Sequence, residues 1–130
     1  MKKFTIKHND SIVKVAEFVL NIAKKEQKQF IYLNGELGSG KTELTKQIAK
    51  LLGIKEPITS PTFNYLKIYD PLVHIDAYHL QNNLDEFEDY FEDKLVIIEW
   101  AELLDLPYQD KIVVQLHIND KNEHIFSITY

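Results

Sequence analysis

Two residue types are missing from this sequence of 130 residues: it contains no cysteine, and all fifteen of its basic side chains are lysine, so arginine is absent as well. Without cysteine the chain has no disulfide bond, no thiolate nucleophile and no cysteine-based zinc site. Glycine is also scarce, with four residues, and three of them lie between positions 35 and 40. This clustering indicates one loop whose backbone must be free of side chains.

Charge and hydropathy exclude further classes of protein. The net charge of −5 has the wrong sign for a domain that grips a phosphate backbone by charge alone, so we expect no direct DNA binding. No apolar run reaches the roughly 18 residues of a membrane helix, and polar residues interrupt the first ten positions. We therefore expect a cytoplasmic protein with no membrane segment. The length and the 45% of hydrophobic residues predict one folded domain over residues 1–130.

Hydrophobic periodicity predicts strands that alternate with helices. An apolar run at 30–33 predicts a strand just before the glycine loop. Apolar residues at helical spacing predict one helix before this strand and another after the loop. Asn9, Asp10 or Ser11 is expected to cap the first of these helices. The continuous apolar run at 95–98 is typical of a central strand covered on both faces. We also expect two hairpins and a short acidic helix at 84–90. The pattern predicts an α/β three-layer sandwich whose central sheet is mainly parallel, with antiparallel additions.

The glycine loop has a recognisable pattern. Residues 35–42 read Gly-Glu-Leu-Gly-Ser-Gly-Lys-Thr, which matches a phosphate-binding P-loop between a strand and a helix. Glycines let backbone N–H groups curl around phosphate oxygens, and the following helix directs its positive end at the same anion. The Lys41 ammonium would neutralise the β- and γ-phosphates, and the Thr42 hydroxyl would bind Mg²⁺. The sequence thus predicts a P-loop NTPase-like domain that binds nucleotide through Glu36, Leu37, Gly38, Ser39, Gly40, Lys41, Thr42 and Glu43.

A magnesium-nucleotide site also requires a carboxylate at the end of a buried strand. The sequence has two candidates, Asp76 after residues 72–75 and Glu99 after residues 95–98, and Glu99 follows the more apolar strand. We predict that Lys41, Asp76 and Glu99 are catalytic and that Thr42, Asp76 and Glu99 bind metal. Which acid binds the metal and which orients the attacking water stays open. His74 is more easily explained as an ordinary strand residue than as a metal ligand.

Two absences from the sequence predict which nucleotide binds and how fast it is hydrolysed. No guanine-reading Asn-Lys-x-Asp string occurs, so adenine is favoured and we expect ATP with Mg²⁺. Because an arginine finger can accelerate phosphoryl transfer about 10³–10⁵-fold, a chain without arginine is expected to hydrolyse ATP slowly by itself and faster with a partner. A non-hydrolytic, nucleotide-dependent binding module is the alternative. A small-molecule kinase is less favoured, because its lid normally brings cationic forks onto the phosphates.

Three further strings accompany the P-loop. They are Thr59-Ser60-Pro61-Thr62-Phe63, His74-Ile75-Asp76-Ala77-Tyr78-His79-Leu80 and Ile98-Glu99-Trp100-Ala101-Glu102. In this order, over nearly the whole chain, the four strings resemble the TsaE family of bacterial ATPases. The resemblance implies the ATPase component of the machinery that makes threonylcarbamoyladenosine in tRNA, with TsaD and TsaB as partner subunits and tRNA contacted only through the complex.

The resemblance also implies roles for individual residues. Ser60, Pro61 and Thr62 would form a switch-like segment over the γ-phosphate, with the Thr62 hydroxyl available to phosphate or metal, and Trp100 would pack close to the nucleotide. His79 occupies a position at which the family usually has arginine. Whatever that arginine does in the family is therefore not carried over to this chain.

Overall fold

The structure is a computed structural model that describes residues 1–59 and 65–130. Within these residues seven strands form one sheet: β1 (Lys2–Ile6), β2 (Phe30–Gly35), β3 (Leu66–Tyr69), β4 (Leu72–Asp76), β5 (Leu95–Glu99), β6 (Lys111–Ile118) and β7 (His124–Thr129). Two α-helices accompany them, α1 (Val13–Lys25) and α2 (Lys41–Leu51). Two short 3-10 helices cover Asp85–Tyr90 and Ala101–Leu103. The strands lie in the order β1-β7-β6-β2-β5-β4-β3.

Strand direction divides the sheet into a parallel centre and antiparallel edges. The pairs β6–β2, β2–β5 and β5–β4 are parallel. The pairs β1–β7, β6–β7 and β3–β4 are antiparallel. The prediction of an α/β sandwich is confirmed, but a mainly parallel sheet is correct only for its centre. The hairpins β3–β4 and β6–β7 give two of the antiparallel pairs, because a short turn returns the chain antiparallel to itself, and β1 adds the third by pairing with β7.

The α-helices cover the same face of the sheet. Their apolar side chains pack against alternate residues of the central strands, a cluster that includes Val15, Val19, Leu44, Ile48, Ile31, Leu33 and Ile97. The intervening strand residues point to the other face, where they pack with both 3-10 helices and the connecting segments; this cluster includes Phe30, Tyr32, Val96, Ile98, Leu84, Phe91 and Ala101. Among the described residues the third layer therefore contains 3-10 turns in place of α-helices.

One local prediction differs from the structure and another is confirmed. Helix α1 begins at Val13 after Ile12, which has no side-chain cap, and Ser11 Oγ accepts a hydrogen bond from Val13 N at 3.2 Å from just outside the helix. The predicted short acidic helix is present as a 3-10 helix over Asp85–Tyr90. The longest α-helix of the two described ranges has 13 residues, and no helix in those ranges combines the length and the apolar character that a membrane span requires.

The parallel centre fixes the place of the site. Parallel strands have their carboxyl ends at one edge of the sheet, so the ends of β2, β4 and β5 meet there. The registers pair Leu33 with Glu99, and Glu99 with Asp76. At this edge β2 runs into the glycine loop at Gly35, which pairs with Leu116 of β6.

Gly35 gives a test of how closely the loop packs at the end of β2. A Cβ atom added there would lie 2.5 Å from the Leu116 carbonyl oxygen and 2.8 Å from Ser39 Oγ. We expect Gly35→Ala to lower the free energy of unfolding by about 1–3 kcal/mol through overpacking. Chemical denaturation would measure the change.

Gly53→Ala is the matched control, because Gly53 also has a positive φ (+82°) but nothing lies within 4 Å of an added Cβ. We expect the smaller loss of stability for this variant. Equal losses for the two variants would contradict the close contact at Gly35.

Candidate functional site

The glycine loop leads from β2 directly into α2. Gly38 and Gly40 have φ angles of +80° and +109°, in the left-handed region that glycine adopts most readily. Ser39 N donates to the carbonyl of Glu36 at 3.1 Å, which closes the turn. On the far side, His124 Nδ1 lies 3.1 Å from the Ser39 carbonyl oxygen. The loop is therefore fixed both by its own turn and by the first residue of β7.

The Lys41 side chain folds back into this loop and is only 5% exposed. Its Nζ donates hydrogen bonds to the carbonyl oxygens of Gly35 at 2.6 Å and of Glu36 at 2.8 Å. Burial lowers the pKa of the ammonium, while the nearby carboxylates of Glu99, Glu102, Asp76 and Glu36 act in the opposite direction. The positive charge is thus held inside the loop by carbonyl dipoles and by surrounding negative charge.

Glu99 ends β5 as a buried carboxylate with two hydrogen-bonding neighbours. Thr42 Oγ1, in the first turn of α2, donates to Glu99 Oε1 at 3.1 Å, and His74 Nε2 lies 2.5 Å from Glu99 Oε2. An ionised carboxylate can only accept, so the proton of this bond is assigned to His74 Nε2. A buried charge requires such partners. His74, Glu99 and Thr42 thus form a chain of hydrogen-bonded side chains that runs from β4 across β5 to α2.

Strand alternation explains why these groups meet. His74 and Asp76 are two residues apart on β4, so they point to the same face, the one that α2 covers. The side chain of His74 is fully buried, and its Nδ1 has no hydrogen-bond partner within the described part of the chain. Asp76 Oδ1 accepts a hydrogen bond from Tyr78 N at 3.0 Å. The Asp76 carboxylate is thereby oriented at the strand end, beside Glu99.

Trp100 closes the site above the lysine. Its backbone adopts a left-handed conformation with φ +62°, and its N–H donates to the Leu33 carbonyl at 2.9 Å. This turn places the indole ring with its centroid 4.0 Å from Lys41 Nζ. The contact is a cation–π interaction, and Tyr78 packs against the indole at 4.9 Å between centroids.

These groups surround a cleft of about 250 Å³. It is lined by Leu37, Gly38, Gly40, Lys41, Thr42, Glu43, Asp76, Glu99 and Trp100. Of the other predicted site residues, Glu36 and Ser39 lie in the loop itself, whereas Thr62, with Ser60 and Pro61, lies outside the described residues. The structure brings all the remaining predicted side chains to one edge of the sheet.

The donor set at this cleft suits a hard divalent cation. Thr42, Asp76 and Glu99 offer one hydroxyl and two carboxylates, all of them oxygen donors. Within residues 1–59 and 65–130 no group of three or more His, Cys, Asp or Glu side chains could hold a metal ion alone. Mg²⁺ is usually bound by one or two carboxylates together with substrate phosphates, and the residues present fit that mode.

Some residues of the site escaped the sequence analysis. Glu102 N donates to Asn34 Oδ1 at 3.1 Å, and Glu102 Oε2 accepts from Gly35 N at 3.1 Å, so the second 3-10 helix is tied to the start of the loop. His74 was interpreted as an ordinary strand residue, yet it contacts Glu99. The signal that could have found them is a polar residue in an otherwise apolar strand, as at Asn34 and His74.

Comparison with known proteins adds the family. A family model described as "Threonylcarbamoyl adenosine biosynthesis protein TsaE" matches residues 6–126. Three relatives are each described as tRNA threonylcarbamoyladenosine biosynthesis protein TsaE. The relative from Streptomyces coelicolor is 41% identical over 55% of this chain and 56% of its own length. The relative from Bacillus subtilis is 36% identical over 73% and 66%, and that from Rickettsia prowazekii is 34% identical over 82% and 90%.

The chain therefore spans just over half of the first relative and just under two thirds of the second. Among solved structures, a crystal structure of YdiB from Bacillus subtilis superposes with a TM-score of 0.63 at 27% identity, and the match covers 98% of this chain and 84% of that one. The family match extends over most of the chain, including the P-loop, Asp76 and Glu99. This chain belongs to the TsaE family.

Proposed function

We propose that this chain binds Mg-ATP at the cleft, hydrolyses it slowly by itself, and acts as the ATPase component in the biosynthesis of threonylcarbamoyladenosine in tRNA. TsaD and TsaB would be its partner subunits, and tRNA would be reached only through the complex. Because the proposed activity serves the modification of tRNA, we place it in the cytoplasm. The observation that carries the proposal is the P-loop whose buried lysine faces two strand-end carboxylates across one cleft.

Phosphate binding is supported by the loop and by the charge inside it. Lys41 Nζ is hydrogen-bonded to the Gly35 and Glu36 carbonyls, so the ammonium already sits within the loop that would receive phosphate. The backbone amides around Gly38 and Gly40 and the start of α2 supply further positive potential. Phosphate oxygens would take over the ammonium from the carbonyl oxygens, because a charged acceptor forms the stronger hydrogen bond.

Hydrolysis is supported by the two carboxylates. When bound, Mg²⁺ would be held by Thr42 with Asp76 or Glu99 and would neutralise charge that develops on the phosphates. The Glu99 carboxylate is fixed by its bonds with Thr42 and His74, and a fixed carboxylate can accept the proton of an attacking water or orient that water. Asp76, held by Tyr78 N, would share the remaining task.

The slow rate and the need for partners follow from composition. The charge in a phosphoryl-transfer transition state is usually met by an arginine, and this sequence has none. The lysine ammonium is a point charge without the planar fork of a guanidinium. A partner that adds such a group or reshapes the site would therefore accelerate the reaction.

Replacing Lys41 tests the binding half of the proposal. Lys41→Met keeps the length of the side chain and removes its charge, so we expect ATP affinity to fall about 10- to 150-fold, the range for a lost charged hydrogen bond. Isothermal titration calorimetry with saturating magnesium measures it. Lys50→Met, on an exposed position of α2, is the matched control and should bind as the original chain does. Equal affinity for both variants would contradict the role of Lys41.

Replacing Glu99 tests the hydrolytic half. Glu99→Gln removes the carboxylate at nearly constant shape, so we expect turnover to fall roughly 10²- to 10⁴-fold with ATP still bound. Phosphate release is measured in the complex with both partners, beside the exposed control Glu86→Gln. Undiminished turnover by Glu99→Gln would refute its catalytic role, and no turnover by the unchanged protein in the full complex would instead indicate a nucleotide-dependent binding module.

Partner dependence has its own test. We expect phosphate release to rise at least about tenfold when TsaD- and TsaB-type subunits are added, because they complete a site that lacks arginine. Threonylcarbamoyladenosine formation on tRNA, measured in the same mixtures, should require this chain and fail with Lys41→Met. Identical turnover with and without the subunits would remove the proposed activation.

A further inference from the structure

A groove lies at the edge of the sheet opposite to the P-loop. Its walls come from the carboxyl ends of α1 and α2, from the residue just before β2 and from the start of β5. The groove has a volume of about 510 Å³ and shares no lining residue with the cleft beside the P-loop. We call it the basal groove. Whatever occupies it does not compete with a ligand at the P-loop.

The basal groove has an apolar floor and a basic rim. The floor consists of Leu20, Ala23, Leu51, Leu52 and Leu95. Lys24, Lys28 and Lys94 supply the rim, and none of the described residues that line the groove is acidic. Within the two described ranges none of these three lysines forms an ion pair. Leu51 is 43% exposed, so part of the apolar floor is open to solvent.

The ends of the helices explain only part of this charge. Lys24 lies in the last turn of α1, where a cation interacts favourably with the helix dipole. Lys28 and Lys94 lie outside both α-helices, in a chain whose net charge is −5. Ammonium groups around an apolar floor suit a ligand that is itself both acidic and apolar.

The chain itself carries a segment of that chemistry. Residues 85–93, here called the acidic segment, contain six carboxylates, three aromatic rings and no basic side chain. Most of the segment forms the 3-10 helix Asp85–Tyr90, in which no residue is buried. Tyr90 is 49% exposed, and Asp89 and Glu92 are exposed beside it. The segment therefore presents an aromatic ring among carboxylates to solvent.

The acidic segment and the basal groove are neighbours at the same edge of the sheet. The side-chain amide of Gln29, which lines the groove, donates to the carbonyl of Phe91 at 2.7 Å and to that of Lys94 at 3.1 Å. Phe91 packs on the face of the sheet opposite to the α-helices, whereas the groove opens at the ends of those helices. A basic and an acidic surface thus lie side by side. This is the arrangement that a twofold axis makes self-complementary.

We propose that the basal groove binds the acidic segment of a second copy of this chain, with a twofold axis close to Gln29. Each copy contributes one groove and one segment, so the same contact is made twice. Tyr90 would cover the apolar floor, and Asp89 and Glu92 would meet the lysines of the rim. The cleft beside the P-loop, at the opposite edge, stays open in both copies. The inference does not depend on the proposed function.

Matched charge reversals test this arrangement. The groove variant is Lys24→Glu with Lys28→Glu, and the segment variant is Asp89→Lys with Glu92→Lys. Sedimentation equilibrium measures association of the full chain. We expect the unchanged chain to dimerise with a Kd of about 10–100 μM in about 50 mM salt, and at least about tenfold more weakly in about 0.5 M salt, because salt screens exposed charges.

Each variant alone should dimerise at least about tenfold more weakly than the unchanged chain, because two surfaces of like charge then meet. An equimolar mixture of the two variants should restore the dimer. In that mixed pair the acidic groove of one copy meets the basic segment of the other, and the reverse holds at the second contact. Two misfolded chains would not restore each other, so the mixture also controls for folding.

Lys14→Glu with Lys121→Glu is the matched control for net charge. Both lysines are exposed and lie outside the groove and the segment, and the change in charge equals that of the groove variant. This control should dimerise as the unchanged chain does. If it lost the dimer as fully as the groove variant, net charge would govern association and the proposed contact would be wrong.

Other outcomes would also overturn the proposal. These are an unchanged chain that stays monomeric at about 100 μM in low salt, variants that dimerise undiminished, or a mixture that associates no better than its components. Assemblies larger than a dimer would exclude the twofold arrangement. A monomeric chain whose groove variant alone fails to bind TsaD- and TsaB-type subunits would assign the groove to those subunits instead. Absence of ATP binding would refute the proposed function and leave this inference standing.

Discussion

The structure depends on placing a buried ammonium and a buried carboxylate at the same edge of one sheet. An isolated charge in the protein interior costs several kcal/mol, and the cost is offset only when hydrogen bonds and opposite charge surround it. Lys41 donates hydrogen bonds to the carbonyls of Gly35 and Glu36, and Glu99 accepts hydrogen bonds from Thr42 and His74. The loop, the strand ends and the first turn of α2 are each required for this arrangement. Removal of one partner leaves a largely buried charge with fewer hydrogen bonds at the wall of the cleft.

The central strand β2 divides the molecule into two chemically different flanks. On the side of β5 and β4 the groups are acidic and suited to metal and water. On the side of β7 and β1 the groups include the imidazole rings of His8 and His124 and the amide of Gln47. Glu102 is hydrogen-bonded to Asn34 and to Gly35, so the segment that carries Trp100 is joined directly to the start of the loop. The glycine loop at the end of β2 thus lies between the two flanks.

The parts of the candidate site that could be predicted from the sequence are those whose residues lie close together along the chain. The P-loop pattern is continuous in sequence, and the apolar run before Glu99 marks a buried strand whatever its neighbours are. The role of His74 could not be predicted, because a single histidine in a strand gives no indication of what lies across the sheet. The contact between the His8 and His124 rings could not be predicted for a related reason: only the pairing of β1 with β7 brings them together. Antiparallel strands are predicted, but their share of the sheet is underestimated, because periodicity gives strand positions without their direction.

The position of Trp100 has a practical consequence. It is the only tryptophan in the sequence, and its ring lies against the Lys41 ammonium at the mouth of the cleft. The emission of an indole depends on the charges next to it, so fluorescence excited selectively at the indole comes from a single group on the wall of the cleft. A change in the distance between the ammonium and the ring would therefore alter that emission, without any label attached to the molecule.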